Sequence, residues 1–177
     1  MIRTSLLAAT AAALAFASPA FAQDAAPSAA PAGFRIEALV GYDHAGFDGF
    51  HEDGILYGVG AGYDFAVSNS VSLGLDVEAS DSTASKSGVK AGRDLYAGGR
   101  VNFAVSPLAN LYLKGGYTNA RVKIEDCCAG NADGFRVGVG GQYLVSGKTY
   151  VGAEYRYSNY EADLDRHQVA LTVGTRF

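Results

Sequence analysis

The stretch His167-Gln-Val-Ala-Leu-Thr-Val-Gly-Thr-Arg-Phe177 decides the fold of this chain. Every second residue, from His167 to the terminal Phe177, is apolar or uncharged, and the residues between them are largely polar or small. A two-residue period is that of a β-strand, whose successive side chains point to opposite faces. The length of the run and its terminal aromatic residue are typical of the last strand of a membrane β-barrel, and we therefore expect such a barrel.

The same alternation recurs in seven segments upstream. We predict eight strands, near residues 34–43, 54–65, 71–80, 93–104, 111–119, 134–144, 149–158 and 166–177. Connectors 66–70, 105–110 and 145–148 are short, whereas 44–53, 81–92 and 120–133 are longer and polar, an asymmetry typical of outer-membrane barrels. The sequence therefore predicts an all-β, eight-stranded antiparallel up-and-down transmembrane β-barrel with both termini in the periplasm.

One parity of these strands excludes charge. It contains residues such as Val59, Leu75 and Val139, runs from Leu95 to Phe103 in the fourth strand, and has no Asp, Glu, Lys or Arg. A lipid-facing Arg or Lys at mid-bilayer costs about 2–4 kcal/mol, so we assign this parity to lipid. Aromatic residues near both strand ends predict two interfacial girdles, one of Phe65, Phe103, Tyr143 and Phe177 and the other of Tyr42, Tyr57, Tyr117, Phe135 and Tyr157.

The opposite parity carries glycines together with seven basic and five acidic side chains. The charged set is Arg35, Glu37, Asp64, Asp76, Glu78, Arg100, Lys114, Arg136, Glu154, Arg156, Arg166 and Arg176. Side chains can fill an eight-stranded barrel, and buried charges need partners or water. We therefore predict a luminal ion-pair plug, with Asp76 and Glu78 facing Arg100, and Glu154 near Arg166 or Arg176. A gated ion path through the plug is the alternative.

The N-terminal region predicts secretion. A basic start and the apolar run 6–17 precede Ala20-Phe-Ala22, so we expect a signal peptide over 1–22, a flexible periplasmic leader over 23–33 and the barrel over 34–177. An uncleaved anchor is the alternative reading of the first segment. The acidic balance and the absence of a basic run argue against a nucleic-acid binder.

Two features of the predicted loops are a candidate cation site and a candidate disulfide. Connector 44–53 and its flank carry Asp43, His44, Asp48, His51, Glu52 and Asp53, which could bind a divalent cation or form a hydrated acidic loop. Cys127 and Cys128 are adjacent, and in an oxidising compartment they could form a vicinal disulfide or a cross-link to another chain. The spacing matches no established metal motif, and we expect no cofactor.

The chain resembles the small outer-membrane protein β-barrel domain family. It is similar to the membrane domain of OmpA and to opacity and OmpX-type surface proteins. The resemblance covers about 34–177 and is carried by the segments 57–65, 133–140, 150–157 and 167–177. It implies the outer membrane of a Gram-negative bacterium, contact with lipid and lipopolysaccharide, and insertion by the barrel-assembly machinery, which recognises a last strand ending in Phe177. It also implies roles in envelope integrity, surface adhesion or limited permeation. Because rigid scaffolds commonly present binding residues on loops, we expect any extracellular partner to bind at 44–53, 81–92 and 120–133.

Two other classes share part of this pattern. A soluble lipocalin-type barrel also alternates, but it does not need glycines on its charged face. A lipid A-modifying enzyme would need a nucleophile and a base on one wall, and the best candidates are Ser158 and His167. No acidic residue on the lipid-facing parity completes that pair, so we expect no enzymatic activity.

Overall fold

The chain forms one closed antiparallel sheet in a computed structural model that describes residues 30–47, 50–86, 89–124, 128–161 and 164–177. The predicted signal peptide and most of the predicted leader lie outside these residues. None of the described segments forms a helix long and apolar enough to cross a membrane.

Eight strands build the wall of the barrel within the described residues. They are β1 (Gly33–Phe47), β2 (Phe50–Ala66), β3 (Val71–Ser82), β4 (Val89–Ala104), β5 (Ala109–Ile124), β6 (Cys128–Ser146), β7 (Thr149–Tyr160) and β8 (Leu164–Arg176). Each strand pairs with its neighbours in the sequence, and pairing of β8 with β1 closes the barrel. A two-residue strand, Ser85–Lys86, follows β3 and pairs with the start of β4.

The barrel is polar inside and apolar outside. Val59, Leu75 and Leu171 on the uncharged parity are each more than 60% exposed, whereas Arg35 and Arg136 on the charged parity are at most 1% exposed. Alternation alone places the charged parity inside and the uncharged parity outside, because a closed sheet sends one parity of every strand to its interior. The exterior is thus the kind of surface that a bilayer requires.

The predicted outer connectors are longer than the connectors in the structure. Segments 44–53, 81–92 and 120–133 are largely strand, and β5 and β6 stay paired as far as Ile124 and Cys128. Beyond the membrane both faces of a hairpin meet water, so the hydrophobic alternation fades while backbone hydrogen bonding continues. Residues 48–49, 87–88, 125–127 and 162–163 lie outside the described residues.

The opposite end has the short turns that the sequence predicts. The Ser68 hydroxyl accepts a hydrogen bond from Val71 N at 3.0 Å, and Ser106 does the same for Ala109 N at 3.0 Å. The third turn uses Gly147, whose φ of 50° is a left-handed conformation that glycine adopts without strain.

Candidate functional site

The lumen holds a balanced set of ionisable side chains. Its described residues include all twelve charged residues that the sequence assigned to this face, together with Asp43 and Asp94, so that seven bases meet seven acids. Asp43 was predicted as part of the loop cluster, and Asp94 was not among the predicted luminal residues. Both lie within predicted strands, 34–43 and 93–104, and have the luminal parity, so parity alone could have identified them.

The cluster nearer the short turns joins β1, β2, β3, β4 and β8. The Arg35 guanidinium contacts Asp64 at 3.1 Å and also pairs with Asp76. Arg100 donates from Nε to Asp76 at 2.9 Å, and Arg176 reaches Asp64 at 3.0 Å. We call this set the turn-end cluster, which comprises three bases and three acids: Arg35, Glu37, Asp64, Asp76, Arg100 and Arg176.

The second cluster is centred on Glu78. Its carboxylate lies 3.4 Å from Lys114 Nζ and 3.4 Å from Arg136 Nη1, and it also pairs with Arg156. Lys114 contacts Glu154 at 2.8 Å. We call the whole set the hairpin-end cluster, which comprises four bases and four acids: Asp43, Glu78, Asp94, Lys114, Arg136, Glu154, Arg156 and Arg166.

Two of the predicted pairings were wrong. Asp76 does meet Arg100, but Glu78 contacts Lys114, Arg136 and Arg156 instead of Arg100. Glu154 contacts Lys114 and Arg156, not Arg166 or Arg176. Register explains the second error, because Glu154 pairs with Ala170 of β8, which lies four residues from Arg166 and six from Arg176.

Luminal tyrosines connect and complete the clusters. Tyr112 donates its hydroxyl to Glu154 at 2.7 Å, and the Arg100 guanidinium lies 4.0 Å from the centre of its ring. Tyr112 therefore bridges the hairpin-end and turn-end clusters. Tyr150 donates to Glu37 at 2.9 Å, and Tyr160 donates to Asp94 at 2.7 Å. The sequence analysis missed these rings, although their parity marks them as luminal.

Luminal glycines make room for these long side chains. A Cβ at Gly62 would overlap the Arg35 guanidinium, and a Cβ at Gly140 would overlap the ring of Tyr112. Gly174 is related to Tyr150 in the same way. By contrast, a Cβ at Gly115, on the outer wall, would meet no atom closer than 3.7 Å. Luminal glycine is therefore a steric requirement of the charged network.

The candidate catalytic pair does not come together. The Ser158 hydroxyl is buried in the lumen, where it accepts a hydrogen bond from Arg136 Nε at 2.8 Å. His167 is on the outer wall, with Nδ1 2.7 Å from the Tyr155 hydroxyl. Ser158 pairs in register with Arg166 rather than with His167, so the two side chains project to opposite faces of the sheet.

The described members of the loop cluster do not all come together. Asp43 turns into the lumen and pairs with Arg166, while His44 lies on the outer wall with Nδ1 2.7 Å from Asp53. Asp48 lies outside the described residues, as do the side chains of His51 and Glu52. No group of three or more His, Cys, Asp or Glu side chains in the described part of the chain could hold a metal ion.

The remaining predicted site residues are the cysteine pair and Phe177. Cys127 and the side chain of Cys128 lie outside the described residues. Phe177 donates its backbone N–H to Phe34 O at 2.8 Å, and its ring lies 6.0 Å from that of Phe34. At the opposite end, hydrogen bonds from the Tyr117 hydroxyl and from Asn119 lower the pKa of Asp133.

The family model for the outer membrane protein beta-barrel domain matches residues 8–177. The chain belongs to this family. Membership supports an outer-membrane location for the barrel and accounts for its apolar exterior. A comparison with curated protein sequences finds no match.

Solved structures of outer-membrane barrels share the fold. Neisserial surface protein A is 17% identical, with a TM-score of 0.64 over 82% of this chain and 97% of that one. Ail, the attachment invasion locus protein of Yersinia pestis, is 15% identical, with a TM-score of 0.62 over 83% and 100%. The N-terminal β-barrel domain of Pseudomonas aeruginosa OprF is 16% identical, with a TM-score of 0.53 over 81% and 97%. At these identities the likeness shows the fold alone.

Proposed function

We propose that this outer-membrane barrel is a closed scaffold, with its lumen filled by ion pairs and both termini in the periplasm. In this proposal its outer hairpins contact molecules outside the cell, and the whole barrel supports envelope integrity. The observation that carries the proposal is the charge balance of the lumen. Each of the two clusters is neutral by itself, and one tyrosine bridges them.

Charge balance favours a closed lumen over a conducting one. An ion entering the barrel would lose hydration and would have to displace a partner from an existing pair, such as Asp64 from Arg176 at 3.0 Å. The lumen also has no continuous ring of one charge sign in its described residues, which ion-selective pores commonly use. The network thus acts as a plug.

Planar-bilayer recordings test the plug. We expect no stepwise conductance from the purified wild-type barrel. Arg100→Gln and Glu78→Gln each unbalance one cluster, whereas Lys148→Gln removes an exposed charge outside the lumen and serves as the matched control. Stepwise conductance in the wild type that changes in either luminal variant but not in the control would instead support a narrow ion channel.

Surface contact is assigned to the hairpins because they project as paired ribbons. The β5–β6 ribbon extends past β7, whose pairing with β6 ends at Gly134 and Tyr160. Replacing 121–131 with a two-residue turn leaves the membrane-spanning pairs in place. We expect this variant to restore detergent resistance to a deletion strain without restoring its adhesion. Restoration of both properties by the variant would contradict a role for this ribbon.

No catalytic step is part of the proposal. Ser158 and His167 are separated by the barrel wall, and Ser158 is held by Arg136. Mass spectrometry of lipid A from cells with and without the protein provides the test. We expect identical acylation in the two strains, and a consistent change in acyl number would overturn this part of the proposal.

A further inference from the structure

The basic residues outside the lumen are concentrated in one sector of the barrel. Downstream of the predicted signal peptide, seven of the basic residues are luminal and Lys148 lies next to Gly147 in a short turn. All the others belong to the outer ends of two adjacent strands or to the segment that leads into them: Lys86, Lys90, Arg93, Arg121 and Lys123. A chain with a net charge of −4 therefore carries a local basic sector.

Arg93 and Arg121 are the described side chains of this sector. Both are exposed, and both have the parity of the lipid-facing wall. Asp94 pairs in register with Ala120, and the register shifts at a β-bulge between Ala91 and Asp94, so Arg93 lies in the bulge beside Arg121 across β4 and β5. Farther out, Lys90 pairs in register with Lys123. The two strands thus bring several basic residues close together in the backbone register.

Within the part of the chain that the structure describes, neighbouring acids do not pair with the two guanidinium groups. No ion pair joins Arg93 or Arg121 to a carboxylate among the residues that the structure describes. Asp133, on the adjacent strand β6, accepts hydrogen bonds from Tyr117 at 2.6 Å and from Asn119 at 2.5 Å. Asp81, near the end of β3, accepts one from Ser82 N at 2.8 Å. Both arginines are therefore available to an external anion.

The height of the pair points to a lipid headgroup. Arg93 is two residues beyond Leu95, and Arg121 is four residues beyond Tyr117 of the aromatic girdle. At about 3.4 Å per residue, these separations are about 7 and 14 Å along strands that tilt by about 40°. The guanidinium groups then lie just outside the hydrocarbon layer, and an arginine stem can bend back toward the headgroups.

We propose that Arg93 and Arg121 form a binding site for the phosphate groups of a glycolipid in the outer leaflet, whose acyl chains pack on Leu95 and Tyr117. Guanidinium groups suit this role because their planar donors match phosphate oxygens. The inference rests on the proposed orientation, with the hairpins outside the cell. It adds a defined lipid contact to the surface role of the barrel.

Native mass spectrometry of the full-length folded protein tests the site, with bisphosphorylated lipid A as the probe and dephosphorylated lipid A as the comparison. Each surface arginine contributes about 1 kcal/mol to binding of an anionic lipid, which is about fivefold in affinity. We expect R93Q/R121Q to weaken binding of the phosphorylated probe by about thirtyfold, by the same conversion. The control K148Q removes an exposed charge at the opposite rim, and we expect it to bind like the wild type.

Three binding results would overturn the site, and a fourth result, on dimers, follows them. The three are equal binding of the two lipid A forms, unchanged binding in R93Q/R121Q, and full competition by millimolar inorganic phosphate, which would indicate a site for free anions. Loss of dimers rather than of lipid in R93Q/R121Q would assign the sector to contact between copies of the chain and would also overturn it. Heat-dependent gel mobility confirms that each variant is folded. Surface accessibility of the hairpins on intact cells tests the orientation separately.

Discussion

Glu78→Gln is the most informative single change in the lumen, because Glu78 is the anion shared by three cations. Its carboxylate contacts Lys114, Arg136 and Arg156, and the residue is 7% exposed. The substitution keeps the shape of the side chain and leaves the hairpin-end cluster with four bases and three acids. Removing one partner of a buried charge network costs about 3–5 kcal/mol. We expect the free energy of unfolding to fall by that amount.

Urea titration in detergent micelles measures this change. Far-UV circular dichroism is the suitable signal, because the chain contains no tryptophan. Glu161→Gln removes an exposed carboxylate at the outer end and should change the free energy of unfolding by less than about 0.5 kcal/mol. If the Glu78 and Glu161 variants are equally stable, the lumen contains enough water to solvate an unpaired charge, and the reasoning is refuted.

A charge-balanced double variant separates charge from packing. Glu78→Gln combined with Arg156→Met removes one acid and one base, so the hairpin-end cluster is neutral again. Contacting charges commonly show coupling energies of about 0.5–3 kcal/mol, and we expect the double variant to be more stable than the sum of the single effects by an amount in that range. Additive effects would show that the loss comes from packing alone.

Three further changes test the wall, the glycines and the final residue. Leu171→Arg places a charge on the lipid-facing wall and should cost about 2–4 kcal/mol in the same titration, whereas Asn131→Arg, beyond the membrane, should be neutral. Gly140→Val would displace the Tyr112 ring and should cost about 1–3 kcal/mol, while Gly115→Ala, whose new methyl group meets only ordinary van der Waals contacts, should cost nothing. Phe177→Ala removes the contact with Phe34 and the proposed assembly signal, so outer-membrane fractions should contain severalfold less folded barrel.

For each of these three substitutions, one result would contradict the prediction. A stable Leu171→Arg barrel would mean that water reaches that wall. Equal stability of the Gly140 and Gly115 variants would mean that the lumen is loosely packed. Normal amounts of the Phe177 variant in the outer membrane, measured by fractionation and heat-dependent gel mobility, would show that assembly does not depend on this residue.

The sequence predicted the parts of the fold that depend on side-chain parity. Excluding charge from one face identified the outer wall, and the same alternation put Arg35, Arg100 and Arg136 in the lumen, where the structure has them. Parity is a local property with a two-residue period, so it can be seen without any knowledge of which strands are neighbours.

Pairing partners depend on register and tilt, which the sequence does not display. Glu78 and Arg100 are on adjacent strands, yet Glu78 meets Arg156, four strands away around the wall, because long side chains cross a narrow lumen. The ends of the strands could not be predicted either, because the hairpins are polar on both faces and show no hydrophobic alternation. The omission of Asp94 was different, since its parity was visible and its strand had been predicted.

The uncharged wall of the barrel should contact hydrocarbon when the protein is in a bilayer. Nitroxide labels at Val59, Val139 and Leu171, with Asn131 as the aqueous control, test it in reconstituted bilayers by collision with oxygen and with a water-soluble nickel complex. We predict that the three wall positions collide more with oxygen than with nickel and that Asn131 shows the reverse. Greater accessibility to nickel at the wall positions would contradict the claim.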